Sequence, residues 1–360
     1  MSKQYTEHNA KSAGPLLKVG MLRRRTKPSK SARSVAVACS HYGIEFFYFR
    51  PQDVNMESKK INGFFLVRDE WVRKSVDYPS VVDNSLPTKD TKELHEELEK
   101  HCIMTTHRIG SKNEIYEMLE KDGTFKHILI PYRMVHSKKD IDDFLTEYKE
   151  VILKPSKGNQ GKRIYEAEKS NDGYNLHTDR KSELLSEKEM ETMTEEQFKK
   201  RKYLVQPFIK SRTKEDHPFD IRIHTRRAKN GKWKWITLLP RIGMSNAITS
   251  NVNQGGAVSE WDSFLEVQFG DRGQEIKKNL IDIAENLPPC VQQFYDFPID
   301  SMGIDIGIEP NGSLWFFEVN TSPGTKFFEL EIAEARAQYY EYLEETSAKI
   351  PKAETVKEKP

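Results

Sequence analysis

The sequence predicts a mixed α/β fold of the α+β kind, and three observations carry that reading. Near the N-terminus a strand-like LLKVGML precedes TKPSKSARSVAVACSHYG, in which Val35, Ala38 and Cys39 fall on one helical face, and then comes the strand-like IEFFYF. Strand, helix, strand in that order makes a small parallel unit. Further along, two stretches of alternating apolar residues turn at Asn230-Gly231 and at Asn311-Gly312. Asn-Gly suits a two-residue type I′ hairpin, whose central positions both need φ > 0. Charged stretches with apolar residues at helical spacing complete the pattern, such as KFFELEIAEARAQYYEYLEE with Phe328, Ile332, Ala335 and Tyr339 on one face.

The chain has 360 residues, room for two or three domains. Residues 1–15 are polar and aperiodic, as a disordered tail is, and residues 346–360 read as a charged tail. Between them, residues 16–88 form a first α/β domain and 89–345 a larger one. The 57 basic and 55 acidic residues leave a net charge of +2, which argues against a chain built to coat nucleic acid. The basic run from Lys18 to Lys30, with Arg23-Arg24-Arg25, is either a solvated loop or a local anion contact. Cys39, Cys102 and Cys290 are far apart and in no CxxC pair, so reduced thiols and a cytoplasmic location are expected. The N-terminal MSKQYTEHNAKSAG lacks the apolar core of a signal peptide, and no run approaches the roughly 18 apolar residues of a membrane span.

Taking the larger domain in order, helices are expected over Thr88–His101, around Ile115–Leu119 and over KKDIDDFLTEYKE. The last leads into the strand VILKP, the loop SKGNQGKR and a second strand, IYEAE. Thr178–Lys202 is highly charged with Leu184, Leu185, Met190, Met193 and Phe198 at roughly helical spacing, so one solvated helix is expected there. YLVQPFI is a short apolar strand broken by Gln206-Pro207, where the proline removes a ladder donor. A final pair of helices is expected from Gly273 to Leu287 and after Gly324.

Chemistry concentrates on the last ribbon, SMGIDIGIEPNGSLWFFEVNTSPG. With Pro310 and Ser313 as the outer pair of the turn, Asp305 stands opposite Glu318 and Gly303 opposite Asn320. Phe316 and Leu314 extend that face, and the two glycines, Gly303 and Gly307, leave room on it for a ligand. Ile304, Ile306, Ile308, Trp315, Phe317 and Val319 form the reverse, apolar face. Two carboxylates held face to face repel unless a positive charge lies between them. Either a cation is bound there, for which Asp, Glu and Asn oxygens suit Mg²⁺, or the acidic side is simply solvated.

Lys154 lies in the otherwise apolar VILKP, where a lysine is costly unless it meets an anion or snorkels to water. The loop after it, with Gly158 and Gly161, is able to drape N–H groups over phosphates, although its spacing is not that of a P-loop. In the other ribbon, FDIRIHTRRAKNGKWKWITLLPRIG, Asp220 falls opposite Arg241 with Arg222, His224 and Arg226 on the same face. That frame is either a structural ion pair or a means of aiming guanidinium groups at a phosphate. SNAITSNVNQGGAVSEW, dense in amides, offers Gly255-Gly256 for close approach to the backbone.

In this order VILKP, LVQPFI, FDIR, SNVNQGG, and GIDI with EVNTSPG resemble the ATP-grasp superfamily. VGML, GIEFFYFRPQDV, INGFF, YPSVVDN and KPSKGNQGKRIY are similar to the YheC/YheD group of endospore-coat-associated proteins within it. The resemblance implies an ATP-grasp fold with a lid at about residues 130–205 and a Rossmann-like pre-ATP-grasp domain before it. It implies that ATP is clamped with Mg²⁺, or Mn²⁺ in its stead, and that a carboxylate is activated as an acyl phosphate for attack by an amine.

Carried over residue by residue, the resemblance makes Asp305, Glu318 and Asn320 metal ligands and sets Arg222, Arg241 and Asn251 at the reaction centre. Lys154, Gly158 and Gly161 meet the phosphates; Gln206, Phe208, Ile209 and Phe316 meet the base; Gly255 and Gly256 line the substrate. The implied partners are a carboxylate and an amine, in a peptide or amino acid, together with spore-coat proteins. The alternative is a non-catalytic coat protein that keeps the fold and the nucleotide.

Overall fold

The computed structural model describes residues 17–156, 163–178, 181–244 and 256–347. Gly158, Gly161, Asn251, Gly255, the N-terminal tail expected from the sequence and residues 348–360 of the C-terminal one lie outside those residues, while Thr346 and Ser347, expected in that tail, end a helix. The chain divides into two compact units: Met1–His107 with Arg226–Lys234 and Gly324–Pro360, and Arg108–Thr225 with Trp235–Pro323. Among the described residues no helix is long and apolar enough to cross a membrane.

In the first unit, β1 (Lys18–Leu22) pairs parallel with both β2 (Glu45–Phe49) and β6 (Val81–Asn84), and β6 pairs parallel with β7 (Ile103–Met104). The strands β3 (Val54–Asn55), β4 (Lys60–Val67) and β5 (Glu70–Asp77) extend this sheet antiparallel beyond β2. Helix α1 (Lys30–His41) joins β1 to β2 as expected. Ser29 Oγ caps it by accepting from the Ala32 N–H, and Gly43 follows its end at φ +70°.

Both faces of the parallel strands are buried, the usual consequence of helical crossovers. On one face Val19, Met21 and Tyr48 pack with Val35 and Cys39 of α1 and with Ala333, Ala337 and Tyr340 of the C-terminal helix α8 (Glu329–Ser347). On the other, Phe47, Phe49 and Phe65 pack with Leu94 and Leu98 of α2 (Lys92–Glu99). Gly20 is required there, since a Cβ would stand 2.7 Å from the Phe49 ring.

The second unit holds two sheets. One has six strands, in the order β12 (Ser182–Leu185), β11 (Gly173–His177), β10 (Tyr165–Ser170), β9 (Glu150–Pro155), β13 (Tyr203–Pro207) and β8 (Arg133–Met134). Val151, Leu153, Ala167, Tyr174 and Tyr203 of this sheet bury against Ile141 and Phe144 of α4 (Lys138–Tyr148). Period-two alternation sends Ile152, Lys154, Glu166, Leu204 and Gln206 to the opposite face. The other sheet runs β16 (Ala257–Val258), β15 (Trp233–Ile242), β14 (Phe219–Arg227), β17 (Ser301–Ile308) and β18 (Leu314–Asn320). Three further helices belong to this unit: α3 (Lys112–Asp122), α6 (Trp261–Phe269) and α7 (Gly273–Gln292).

The charged stretch 178–202 is not one helix. Ser182–Leu185 pairs with β11 as a strand. Ser186 then starts α5 (Glu187–Met193) through a capping box with Glu189, and a π-helical turn, Thr194–Lys199, follows. On that strand Leu185 packs against the core while Leu184 is 54% exposed, the alternation of a strand rather than a helical stripe. The sequence reading passed over β5, whose exposed EWVRKSVD has no apolar alternation, and α6, whose N-cap is a glutamate, Glu260, in place of the usual short side chain.

Asp83, at the end of β6 and 1% exposed, ties the first unit together. Its Oδ1 lies 2.7 Å from Arg23 and its Oδ2 3.5 Å from Arg336 of α8, and the Tyr340 hydroxyl donates to it. Burial alone would raise its carboxyl, but the Arg23 and Arg336 guanidinium groups outweigh that and hold it well below the usual carboxylate range. A depressed pKa contributes stability that is present above the unfolded value near pH 4 and is lost as pH falls through the folded value. Asp83→Ala is therefore expected to cost about 3–5 kcal/mol in urea unfolding at neutral pH, with the gap to wild type closing under strong acid. An unchanged midpoint would show that Asp83 is no keystone.

Candidate functional site

The final ribbon brings Asp305 and Glu318 directly opposite each other, and Gly303 opposite Asn320, as the sequence reading expected. The route to that register is different. Glu309 and Ser313, not Pro310 and Ser313, close the turn: the Glu309 N–H donates to Ser313 (3.0 Å), and the Gly312 N–H to Glu309 (2.8 Å). Only Gly312 takes a positive φ, +89°, so the loop is Pro310-Asn311-Gly312, three residues in place of two. Proline explains this, because it fixes φ near −65° and fits the first central position of a type I turn. The extra loop residue sets Ile308 against Leu314 and Ile306 against Phe316; a bulge at Phe317 then restores the expected pairing at Asp305.

The two irregularities exchange the faces of four side chains. Phe316 falls on the core side opposite Ile306, is 1% exposed, and packs at a tilt against Tyr116, whose hydroxyl donates to the Phe316 carbonyl. The expectation that Phe316 shares the face of Glu318 is corrected accordingly. Phe317 takes that place: its ring lies 2.2 Å from where Gly307 would carry a Cβ. Trp315 pairs with Gly307 and donates to Glu309 (2.9 Å), while Leu314 turns to the Ile308 side. Nor do the glycines of β17 leave open space. A Cβ on Gly303 would meet Pro323 at 2.7 Å and Arg222 at 3.1 Å.

The positive charge beside Asp305 is arginine. Arg222 donates through Nε to Oδ1 and through a terminal nitrogen to Oδ2 (2.8 Å), and Arg241 reaches Oδ2 at 2.8 Å. Arg241 also grips Asp220 at 2.6 and 2.7 Å, confirming that pair of the β14–β15 ribbon. That ribbon too closes with one residue more than expected, through Ala228 and Lys232, with Asn230 and Gly231 both at positive φ. Asp220, Arg241, Asp305 and Arg222 thus form an alternating, charge-neutral row.

Burial raises the Asp305 carboxyl, but the two guanidinium groups more than reverse it, leaving Asp305 depressed. Burial likewise works against both arginines, and the carboxylates overcome it and raise them. Glu318 stands outside this row, accepting from the Asn320 amide at 2.8 Å.

Among the described residues no three His, Cys, Asp or Glu side chains gather to hold a metal. The oxygen set on this face is Asp305, Glu318 and Asn320, two acids and an amide. That set fits a hard, water-retaining cation such as Mg²⁺, which asks for only one or two carboxylates. A carboxylate has about four acceptor sites, and the arginines take one on Oδ1 and two on Oδ2, so Asp305 keeps one for a cation.

On the six-stranded sheet Lys154 pairs with Leu204 and Gln206 with Ile152, both on the face turned away from the core. Gln206 is buried. The Phe208 N–H donates to Glu150 (3.0 Å), so Phe208, and by alternation Gln206, direct their peptide groups into the ladder with β9. The main-chain groups facing away from β9 there are the Pro207 carbonyl and the Ile209 N–H, an acceptor and a donor, and Ile209 is among the residues that the resemblance assigns to the base. Gly256 is half-buried at the start of β16.

Residues 101–347 match the YheC/D-like ATP-grasp family. Over 331 residues the chain is 26% identical to the endospore coat-associated protein YheD of Bacillus subtilis (strain 168), covering 85% of this chain and 72% of that protein. It is 23% identical to the endospore coat-associated protein YheC of the same organism, covering 85% and 88%. The ATP-grasp ligase PsnB, solved with the precursor peptide PsnA2 and AMPPNP, has a similar fold, with TM-score 0.52, 12% identity and 91% and 98% coverage. So does the D-cycloserine synthetase DcsG, with TM-score 0.51, 12% identity and 90% and 99% coverage.

The two acids opposed across the ribbon therefore differ in what they hold. Asp305→Ala would leave Arg222 without its carboxylate and Arg241 with Asp220 alone, both largely buried, and is expected to lower unfolding free energy by about 3 kcal/mol. Glu318→Gln, half-buried and outside the row, is expected to stay within about 1 kcal/mol of wild type. Chemical denaturation of both variants checks this, and equal losses would refute the distinction.

Proposed function

Because the chain belongs to the YheC/D-like ATP-grasp family, we propose that it is an ATP- and Mg²⁺-dependent carboxylate–amine ligase acting on a peptide or amino acid in spore envelope assembly. The observation that carries this reading is the meeting, on one sheet, of a guanidinium row with an acid and an amide across the hairpin: Arg222 and Arg241 on Asp305, with Glu318 and Asn320 opposite. Phosphoryl transfer depends on positioning and on charge stabilisation more than on a nucleophilic side chain, and this arrangement supplies both.

In this reading a substrate carboxylate oxygen attacks the γ-phosphorus and ADP leaves, giving an acyl phosphate. An amine then attacks its carbonyl carbon, loses a proton, and inorganic phosphate departs. Arg222 and Arg241 neutralise charge on the transferring phosphoryl group, and Asn251, Gly255 and Gly256 line the reaction centre. Lys154 takes the nucleotide phosphates, with Gly158 and Gly161 in the loop that follows. The base sits at the strand end from Gln206 through Phe208 to Ile209, and Phe317, in place of Phe316, covers it from the other sheet. Asp305, Glu318 and Asn320 would hold the cation, Mg²⁺ or Mn²⁺, whose chemistry is to offset the charge of the phosphates.

A second reading is a coat component that binds nucleotide without turnover. It is favoured by the engagement of most Asp305 lone pairs by arginine, and by the coat-associated names of the Bacillus subtilis relatives.

Mg·ATP is expected to raise the melting temperature of the wild type and to leave that of Glu318→Ala unmoved; equal stabilisation of both would exclude Glu318 from the metal site. ADP release with pooled amino acids and spore-coat extracts as acceptors, followed by mass spectrometry of the products, separates the two readings. Acceptor-dependent ADP supports the ligase, and its absence supports the scaffold.

A further inference from the structure

The first unit holds a positively charged cluster that the proposed chemistry does not use. Tyr48 pairs with Phe64 and Phe64 with Arg73, so these three side chains form a row across β2, β4 and β5. Arg50, two residues beyond Tyr48 at the end of β2, joins the row through Asp53, whose side chain is 2% exposed. Asp53 Oδ2 accepts from the Arg50 main-chain N–H at 2.9 Å and from its Nε at 2.8 Å, while Oδ1 accepts from a terminal nitrogen of Arg50 at 2.7 Å and one of Arg73 at 2.9 Å. A carboxylate has about four acceptor sites, so Asp53 is saturated by these bonds. The arginines are not. Arg50 spends its Nε and one terminal nitrogen and Arg73 one terminal nitrogen; among the described residues nothing accepts from their remaining N–H groups. Both guanidinium groups lie over the Phe64 ring, 5.4 and 4.3 Å from its centre, which orders them side by side.

A third arginine comes from the segment after β1. The Tyr48 hydroxyl donates to the Arg25 carbonyl at 2.6 Å, and the Tyr48 ring meets that of Phe64 edge to face. Burial raises that hydroxyl while the charges of Arg23, Arg50 and Arg25 pull it down, so all three stand close around it. Arg23 is neutralised by Asp83, but the Arg25 side chain is exposed and has no partner among the described residues. From Arg25 into the first turn of α1 the chain adds Lys27 and Lys30 and no acid. Arg25, Arg50 and Arg73 set against Asp53 leave a surplus of positive charge that an anion would relieve. A phosphate monoester carries about two negative charges at neutral pH and presents its oxygens to guanidinium forks, whereas a carboxylate brings about half that charge. We infer that Arg25, Arg50 and Arg73 form a binding site for a phosphate monoester, carried by a small molecule or by a phosphorylated side chain. This site shares no residue with the nucleotide site proposed above and does not depend on it.

Phosphorus NMR titration of the full chain with methyl phosphate, and with dimethyl phosphate as the singly charged control, tests the assignment. Wild type is expected to bind methyl phosphate about tenfold more tightly than dimethyl phosphate. Arg73→Gln, which leaves the Arg50–Asp53 pair whole, should weaken methyl phosphate by about tenfold, the loss that one charge-assisted hydrogen bond brings. Arg73→Lys, which keeps the charge without the fork, should fall between the two. Arg25→Gln alters an exposed side chain and carries the same test if the Arg73 variants fold poorly. Lys154→Ala should leave the affinity unchanged. A phosphoserine-containing peptide that binds about tenfold more tightly than methyl phosphate would support the site and identify its source as a phosphorylated chain; parity would support it with a small molecule as the source. Wild-type affinity in both the Arg73→Gln and Arg25→Gln variants, equal binding of the two esters, or a loss that follows Lys154 and not the arginines would each overturn the inference.

Discussion

The carboxylate of Asp305 is the point on which the second unit depends. It is 4% exposed, and a charge in that position is tolerated only with partners of the opposite sign at hydrogen-bond distance. Arg222 and Arg241 come from two strands of one ribbon and Asp305 from a strand of the next, so the ion row stitches β15, β14 and β17 into a single surface. Asp220 closes the row, and neutrality follows without any group from outside. Glu318 accepts instead from an amide two residues along its own strand. The two members of a pair that looks symmetric on paper thus have different surroundings, arginines for Asp305 and an amide for Glu318.

Much of this was legible in the chain. The Asp305–Glu318 and Asp220–Arg241 pairings follow from hairpin alternation, as does the small parallel unit at the N-terminus. What the residues did not disclose was how the first of these registers is reached. Pro310 enlarges the loop by one residue and the bulge at Phe317 absorbs it, so the acids meet as expected while Phe316 and Phe317 trade faces. Periodicity counted from a turn cannot see two irregularities that cancel, since each is a local backbone choice decided by proline geometry and packing against Gly307. Ser182–Leu185 was read as helix for a related reason: a run of charge hides a two-residue period. The arginine partners of Asp305 were not legible because opposed carboxylates demand a cation of some kind, and sequence does not say whether a metal, a guanidinium or both supply it.

The six-stranded sheet shows how one strand serves two purposes. Val151 and Leu153 enter the core while Ile152 and Lys154 face outward, and the same alternation on β10 buries Ala167 and exposes Glu166 to the outer side. Membership of the ATP-grasp family accounts for the architecture.

The C-terminal helix completes the core of the N-terminal sheet, through Ala333, Ala337 and Tyr340 against Val19 and Met21. During synthesis β1, β2 and β6 leave the ribosome long before α8, and until it arrives one side of that sheet has only α1 as cover and Asp83 lacks two of its three partners. A sheet made before α8 is therefore among the last parts to reach its final packing, and a translation product interrupted between them would expose an oily surface to whatever chaperone attends it.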